Sequence, residues 1–467
     1  MNMSTADPCQ ASIAEISARL ARRELSPVEI TRAILDRIAA LDPKLHAYAT
    51  ITAELAMAQA RQAEGEIMRG ELRGPLHGVP VAVKDLCNTR GIPTAAGMPL
   101  HRDFRPDHDA TVVTRLRESG AVLVGKLQLT EGAMADHHPT VAVPANPWSS
   151  THWSGASSSG SGVATAASLC FAALGSDTGG SIRFPSAMNG VTGIKPTWGR
   201  VSRYGVFPLA PSLDHVGPMA RSAEDAAIVL GAIAGPDAND PTTLRARVPD
   251  YLALAPDVRG LRIGLDPQTI STDVEPSVAR ALQGAVRALE GIGARIIELT
   301  LPPTAPLALG WGAYCAAEAA VVHEPTFPSR AAEYGPSLRG FLEFGGMVTG
   351  MQLARLELER RVFAGRLAAL FDEIDLLLVP VFGATGMTAA RVSALGADPE
   401  AMAAFLTFTA PFDFSGSPTI TMPCGFDDDG VPIGFQLVAP HLGEDRLVAA
   451  GRAFQEATDW HRRRPVV

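Results

Sequence analysis

Residues 154–197 read SGASSSGSGVATAASLCFAALGSDTGGSIRFPSAMNGVTGIKPT, two Gly/Ser-rich turns each followed by a segment of small residues. A Gly/Ser run on its own is a flexible linker. These two flank VATAASLCFAALG (163–175), whose small apolar side chains suit close packing in an interior, and a linker has no reason to be buried. A phosphate cradle at a helix N-terminus is a second reading. Neither a G-x-x-x-x-G-K-[ST] loop nor a G-x-G-x-x-G turn with an acidic residue after it is present. The G-x-S-x-G elbow is absent around these serines. Eleven histidines leave a Ser-His-Asp triad open, but nothing places one. Acyl transfer fits the stretch best. It needs a hydroxyl nucleophile, a base, a proton relay and backbone N–H groups aimed at a developing oxyanion. Asp177-Thr178-Gly179-Gly180-Ser181 offers the amides of 178–181 on a glycine turn, with Ser181 at its end.

Outward from this stretch the pattern alternates. Residues 79–83 form an apolar strand ending on Lys84; 111–119 read as a helix and 121–125 (AVLVG) as a strand. Further strands are expected at 261–265, 295–299, 376–379, 419–422 and 433–438, with helices at 275–291, 353–371 and 444–457. Such alternation indicates an α/β/α sandwich: a mixed, mostly parallel twisted sheet covered by helices on both faces. Residues 1–70 look helical. Ser12 with Glu15 and Ser26 with Glu29 make two capping boxes, Pro27 follows the second, and Ile30, Ile34, Ile38 and Leu41 then mark one apolar face. A third helical stretch covers 53–68. No repeat or linker divides the chain.

Composition excludes several classes. The net charge is −9 with both signs interspersed, so no basic stripe for nucleic acid exists; Arg462, Arg463 and Arg464 are too few. Five dispersed cysteines without CxxC spacing suit a reducing compartment. The N-terminus lacks a basic segment followed by an apolar one, so no signal peptide is expected, and the longest apolar runs look far short of a membrane span. A cytoplasmic protein with no membrane contact is the expectation.

The motifs together resemble the amidase signature hydrolases, a family that takes in bacterial amidases and aryl acylamidases, fatty acid amide hydrolase and the A subunit of the glutamyl-tRNA amidotransferase. The residues that carry the resemblance are VPVAVKD (79–85), GASSSGS (155–161) and GSDTGGSIR (175–183), with Ser157 and Ser181 separated by 24 positions. DLLLVP (375–380), FTAPFDFSGSP (408–418) and DGVPIGFQLV (429–438) extend it over about residues 12–464. The resemblance implies one domain over 1–467: N-terminal helices to 70, a signature core at 75–220 and a variable, pocket-forming region at 300–410. It implies Ser181 as nucleophile, Ser157 as a bridging serine after a cis peptide bond, and Lys84 as base. Thr178, Gly179, Gly180 and Ser181 would form the oxyanion hole, Ser158 would support the lysine, and Asp177 and Arg183 would brace the turn as an ion pair. Free lysine titrates near 10.4; the apolar strand before Lys84 would lower that by desolvation. No cofactor or metal is implied, and a homodimer is compatible with it. Ser159 departs from the pattern, since many members carry Gly there.

Glu131, Gly132, Ala133 and Met134 resemble the segment lining the substrate channel in relatives. Trp148 and Trp153 would border the acyl pocket, and Phe341 and Phe344, in the apolar run 341–351, would form a lip over it or plain core. His137 and His138 read as pocket-rim or surface residues. The expected activity is hydrolysis of small to medium apolar or aryl amides, with esters and carbamates accepted. The alternative is the glutamine-hydrolysing A chain of an amidotransferase, for which Asp413 is the one candidate polar contact.

Overall fold

The two serine caps form as their spacing predicts. In the computed structural model, which describes residues 7–396 and 398–467, Ser12 and Ser26 each close a capping box with Glu15 and Glu29. They start helices Ile13–Ala21 and Pro27–Leu45. The first of these buries Ile13, Ile16 and Leu20, and the second Ile30, Ile34 and Ile38. The first six residues, part of the stretch that bears on a signal peptide, lie outside the described residues.

Among the described residues the strands are β1 (Tyr48–Ile51), β2 (Pro80–Lys84), β3 (Val122–Leu127), β4 (Ala172–Asp177), β5 (Thr192–Lys195), β6 (His215–Ala220), β7 (Arg262–Leu265), β8 (Arg295–Glu298), β9 (Leu376–Pro380), β10 (Thr419–Phe426) and β11 (Pro432–Val438). They join in one sheet, in the order β1-β3-β2-β4-β6-β5-β10-β11-β9-β7-β8. Helix Arg183–Asn189 packs on the face that carries Gly193, whereas Gly451 of helix Glu444–Ala457 meets Ile420 on the opposite face. This is the mixed α/β/α architecture expected.

Its parallel share is smaller than the alternation suggested. Parallel pairing is confined to two blocks, β3-β2-β4 and β9-β7-β8. The other neighbours are antiparallel. The reason is local in one case: Asp427 Oδ1 accepts from Val431 N at 2.8 Å, closing a tight hairpin between β10 and β11 that leaves no room for a crossover.

One apolar segment also departs from expectation. Helix Ala305–His323 is long and apolar enough, by length and composition, to cross a bilayer. Here it is docked on the fold by polar contacts: Trp311 Nε1 donates to Thr178 O at 2.9 Å, and Glu318 Oε2 accepts from Ser212 N at 2.9 Å. In sequence the run is interrupted by Glu318 and diluted by small residues such as Gly310 and Gly312.

Ser26 Oγ accepts from Val28 N at 2.9 Å while Glu29 Oε2 accepts from Ser26 N at 3.0 Å. Ser26→Ala should therefore lower stability by about 1 kcal/mol and leave turnover unchanged. A fall in the urea midpoint checks this; an unmoved midpoint would show that the cap is dispensable.

Candidate active site

β2 ends on Lys84 and β4, its parallel neighbour, ends on Ser176 and Asp177, so the sheet itself brings these side chains together. Lys84 has no solvent exposure. Its Nζ lies 2.7 Å from Ser157 Oγ, 3.0 Å from Ser158 Oγ and 2.8 Å from Ser176 Oγ. Burial without an ion-pair partner lowers its pKa from 10.5 to about 7, an effect only partly offset by the more distant Cys87, Asp177 and Asp214. Ser157 follows a cis peptide bond after Ala156. Ser158 Oγ donates to Ser176 O at 3.2 Å. Ser158 and Ser157 directly precede helix Ser159–Ala166.

The Asp177–Ser181 turn is held by one carboxylate. Asp177 Oδ1 accepts from Gly180 N at 2.6 Å and Arg183 Nη2 at 2.8 Å. Its Oδ2 accepts from Ile182 N at 3.0 Å, Arg183 N at 3.3 Å and Arg183 Nε at 3.0 Å. Burial alone would raise its pKa, but the Arg183 guanidinium and these N–H groups hold it well below the usual carboxylate range. Gly180 has φ +137°, and a Cβ there would sit 2.4 Å from the Phe184 ring; one on Gly179 would sit 2.6 Å from Trp311. Both glycines are thus fixed by aromatic neighbours. Between Ser154 and Thr197 every residue is buried apart from Ser181 and Gly190. Ser181 is the hydroxyl the segment leaves accessible.

The Gly180 N–H is committed to Asp177, so it does not face an oxyanion as expected. Asp413 is also not a substrate contact. It is fully buried and accepts from Arg183 Nη2, with His215 Nδ1 3.5 Å away on its other oxygen. Burial raises its pKa well above the ordinary carboxylate value, in spite of Arg183. Lys195 donates to Phe412 O at 3.1 Å and Ser417 O at 2.7 Å behind the same cluster.

The aromatic residues around the turn come mostly from distant sequence. Trp153 packs on Phe184 and Phe405, both at 6.0 Å between centroids, and Phe184 stacks on Phe405 at 4.6 Å. Phe382 and Trp311 complete this aromatic patch beside the glycine turn. Phe341 meets Trp311 at 6.5 Å. Phe344 does not join them: it is 42% exposed at the end of helix Pro336–Gly345. Trp148 packs against the same cluster, and its Nε1 donates to Asn189 O at 2.9 Å, bracing the far end of helix Arg183–Asn189. Glu131 is buried, with both oxygens 3.0 Å from Gly335 N, and burial raises its pKa to about 6. Gly132 packs on Leu338, Met134 is half-buried, and Ala133 lines a cavity of about 240 Å³ that reaches Ser176. Val206, Phe207 and Leu209 line it together with Arg203, Asp214 and Asp240, so this wall is mainly apolar with charged groups set into it. Ser176, Phe184, Trp311, Phe382 and Phe405 were not found from sequence. Ser176 and Phe184, both in the quoted stretch close to Ser181, were the two with a local signal. His137 Nε2 lies 3.0 Å from Ser159 Oγ, and His138 is half-buried.

A family model described as Amidase matches residues 29–448. The chain belongs to the amidase family. It is an amide-hydrolysing enzyme. It is 48% identical over 456 residues to a Mycobacterium tuberculosis protein named "Putative amidase AmiD", covering 97% of this chain and 96% of that one. The A chain of the glutamyl-tRNA(Gln) amidotransferase of Thermosynechococcus vestitus is 39% identical over 480 residues, covering 97% and 99%. Among solved amidase structures, native peptide amidase from Stenotrophomonas maltophilia superposes with a TM-score of 0.83 at 32% identity, covering 100% of this chain and 99% of that one.

Gly180→Ala forces a side chain into a left-handed turn and against Phe184. The expected result is loss of at least about 2 kcal/mol together with loss of turnover. Thermal unfolding and an amide-hydrolysis assay on the same preparation check both.

Proposed function

We propose that this amidase cleaves small to medium apolar or aryl amides through an acyl-enzyme on Ser181, with Ser157 relaying protons to and from Lys84. The carrying observation is the set of oxygens around Lys84 Nζ. A neutral amine has two N–H groups and one lone pair. Ser158 Oγ commits its own proton to Ser176 O, so it can only accept from Lys84. With the second N–H on Ser176 Oγ, the lone pair is left for the Ser157 hydroxyl at 2.7 Å. Lys84 takes the Ser157 proton as Ser157 takes that of Ser181. Ser181 Oγ then bonds to the substrate carbonyl carbon, the C–N bond breaks, and the proton returns through Ser157 to the leaving nitrogen. Water repeats the sequence to release the acid. The oxyanion is assigned to the amides of Thr178, Gly179 and Ser181, without Gly180.

The aromatic patch of Trp153, Phe184, Trp311, Phe382 and Phe405 supports an apolar acyl group. Aryl esters and carbamates present the same carbonyl and are expected substrates. A glutamine-hydrolysing role draws no support from Asp413, which is spent on Arg183. Five unpaired buried thiols suit a cytoplasmic location.

Ser181→Ala should lower kcat by about 10⁴-fold or more, and a fluorophosphonate should label wild type at Ser181 and not the variant. Label mapped to another serine would end the assignment. Lys84→Ala should cost at least as much. Because the base must be unprotonated, kcat/KM should rise with pH through about 7 and level off above it. A pH profile flat from 5 to 9 would place the base elsewhere. An anilide should exceed glutamine in kcat/KM by about a hundredfold, since burying an unpaired charge costs several kcal/mol and each methylene gains about 0.8 kcal/mol.

A further inference from the structure

Segment 128–137 wraps the serine turn at three successive levels. Gln128 O accepts from Gly160 N at 2.9 Å, Ser157 O accepts from Thr130 N at 3.3 Å, and His137 Nε2 meets Ser159 Oγ at 3.0 Å. The first two anchors are backbone contacts at the entry of the segment. The third is the one side-chain contact, and it lies at the exit. Between them the chain makes a tight excursion, with Gly132 and Ala133 both left-handed at φ 58° and 62°. The excursion is pinned by Gly132 N on Ala96 O at 2.9 Å and Glu131 N on Asp136 O at 2.9 Å. Its tip, Ala133, lines the cavity that reaches Ser176.

Ser159 is fully buried, and a buried hydroxyl needs a partner. Burial lowers the His137 pKa to about 4, so the ring is neutral at working pH and the contact is a hydrogen bond between uncharged groups. Neither residue touches Lys84, Ser157 Oγ or Ser181 among the hydrogen bonds of the site.

We infer that His137 and Ser159 form a positioning pair that sets substrate fit by fixing the exit of the 128–137 segment, and through it Ala133, against the serine turn. The inference rests on the proposed role of that turn. Releasing the pair frees one end of the segment while leaving both backbone anchors and the proton machinery in place. Binding of the substrate is then altered and its chemistry is not.

The test is steady-state kinetics on the intact enzyme with an anilide, for Ser159→Ala, His137→Ala, the double variant and His137→Gln. Each alanine variant should raise KM about tenfold with kcat within about twofold and an unmoved pH midpoint. The double variant should be no worse than either single one, since both remove one interaction. His137→Gln, whose amide nitrogen can reach the same hydroxyl, should restore KM. Unchanged KM in both single variants, additive losses in the double variant, or equal falls in kcat would overturn the inference. Ser181→Ala run alongside separates the two readings. If that variant stays active, the proposed mechanism fails; if it is dead while KM is unmoved in the pair variants, only the positioning role fails. Unfolding midpoints on every variant guard against a folding defect, and His137→Gln supplies the answer should Ser159→Ala not fold.

Discussion

The site hangs on a carboxylate that meets no water. Asp177 takes five N–H groups from Gly180, Ile182 and Arg183, and its partner Arg183 is equally buried. A buried charge is tolerated only when paired and hydrogen-bonded, and here the requirement is met by folding the glycine turn around it. Asp177 is also the last residue of β4. The turn that exposes Ser181 is thereby fastened to the strand that carries Ser176 toward Lys84. Arg183 continues outward, donating to Thr409 O at 2.8 Å and to Asp413, so a segment over two hundred residues away is fixed to the same point.

Lys84 meets the opposite fate. Both groups are buried at strand ends, yet one is matched by an opposite charge and the other only by hydroxyls. Pairing holds Asp177 ionised and inert. Desolvation without pairing leaves Lys84 near neutrality, ready to exchange a proton. The same low-dielectric setting thus yields a strut in one case and, in the proposed mechanism, a base in the other.

Much of this was legible in the sequence. The S-x-x-E boxes, the apolar strand before Lys84 and the two serine turns all carry their signal within a few residues. β4 was not anticipated because AALGSD has no β-branched or aromatic residue to mark a strand. Its identity comes from being enclosed between β2 and β6. The aromatic wall was missed for a different reason: Trp311, Phe382 and Phe405 lie on separate elements with no shared spacing, and only the fold brings them to the turn. Phe344 is not a core residue, because its place near the end of its helix leaves it exposed. Asp413 looked like a free acid because its partner is 230 positions away.

The origins of the two halves of the site differ. The groups proposed to handle protons, Lys84, Ser157 and Ser181, lie within residues 84–181, whereas Trp311, Phe382 and Phe405 come from the later part of the chain. Trp311 reaches the turn through its indole N–H on Thr178 O, and Phe382 and Phe405 reach it through the Phe184 ring. They carry no charge and so add no opposite charge to the balance that lowers the Lys84 pKa and keeps Asp177 ionised. On the proposed mechanism, such a division would let drift in the later segment reshape what is admitted while selection on the chemistry acts on a different stretch of the gene.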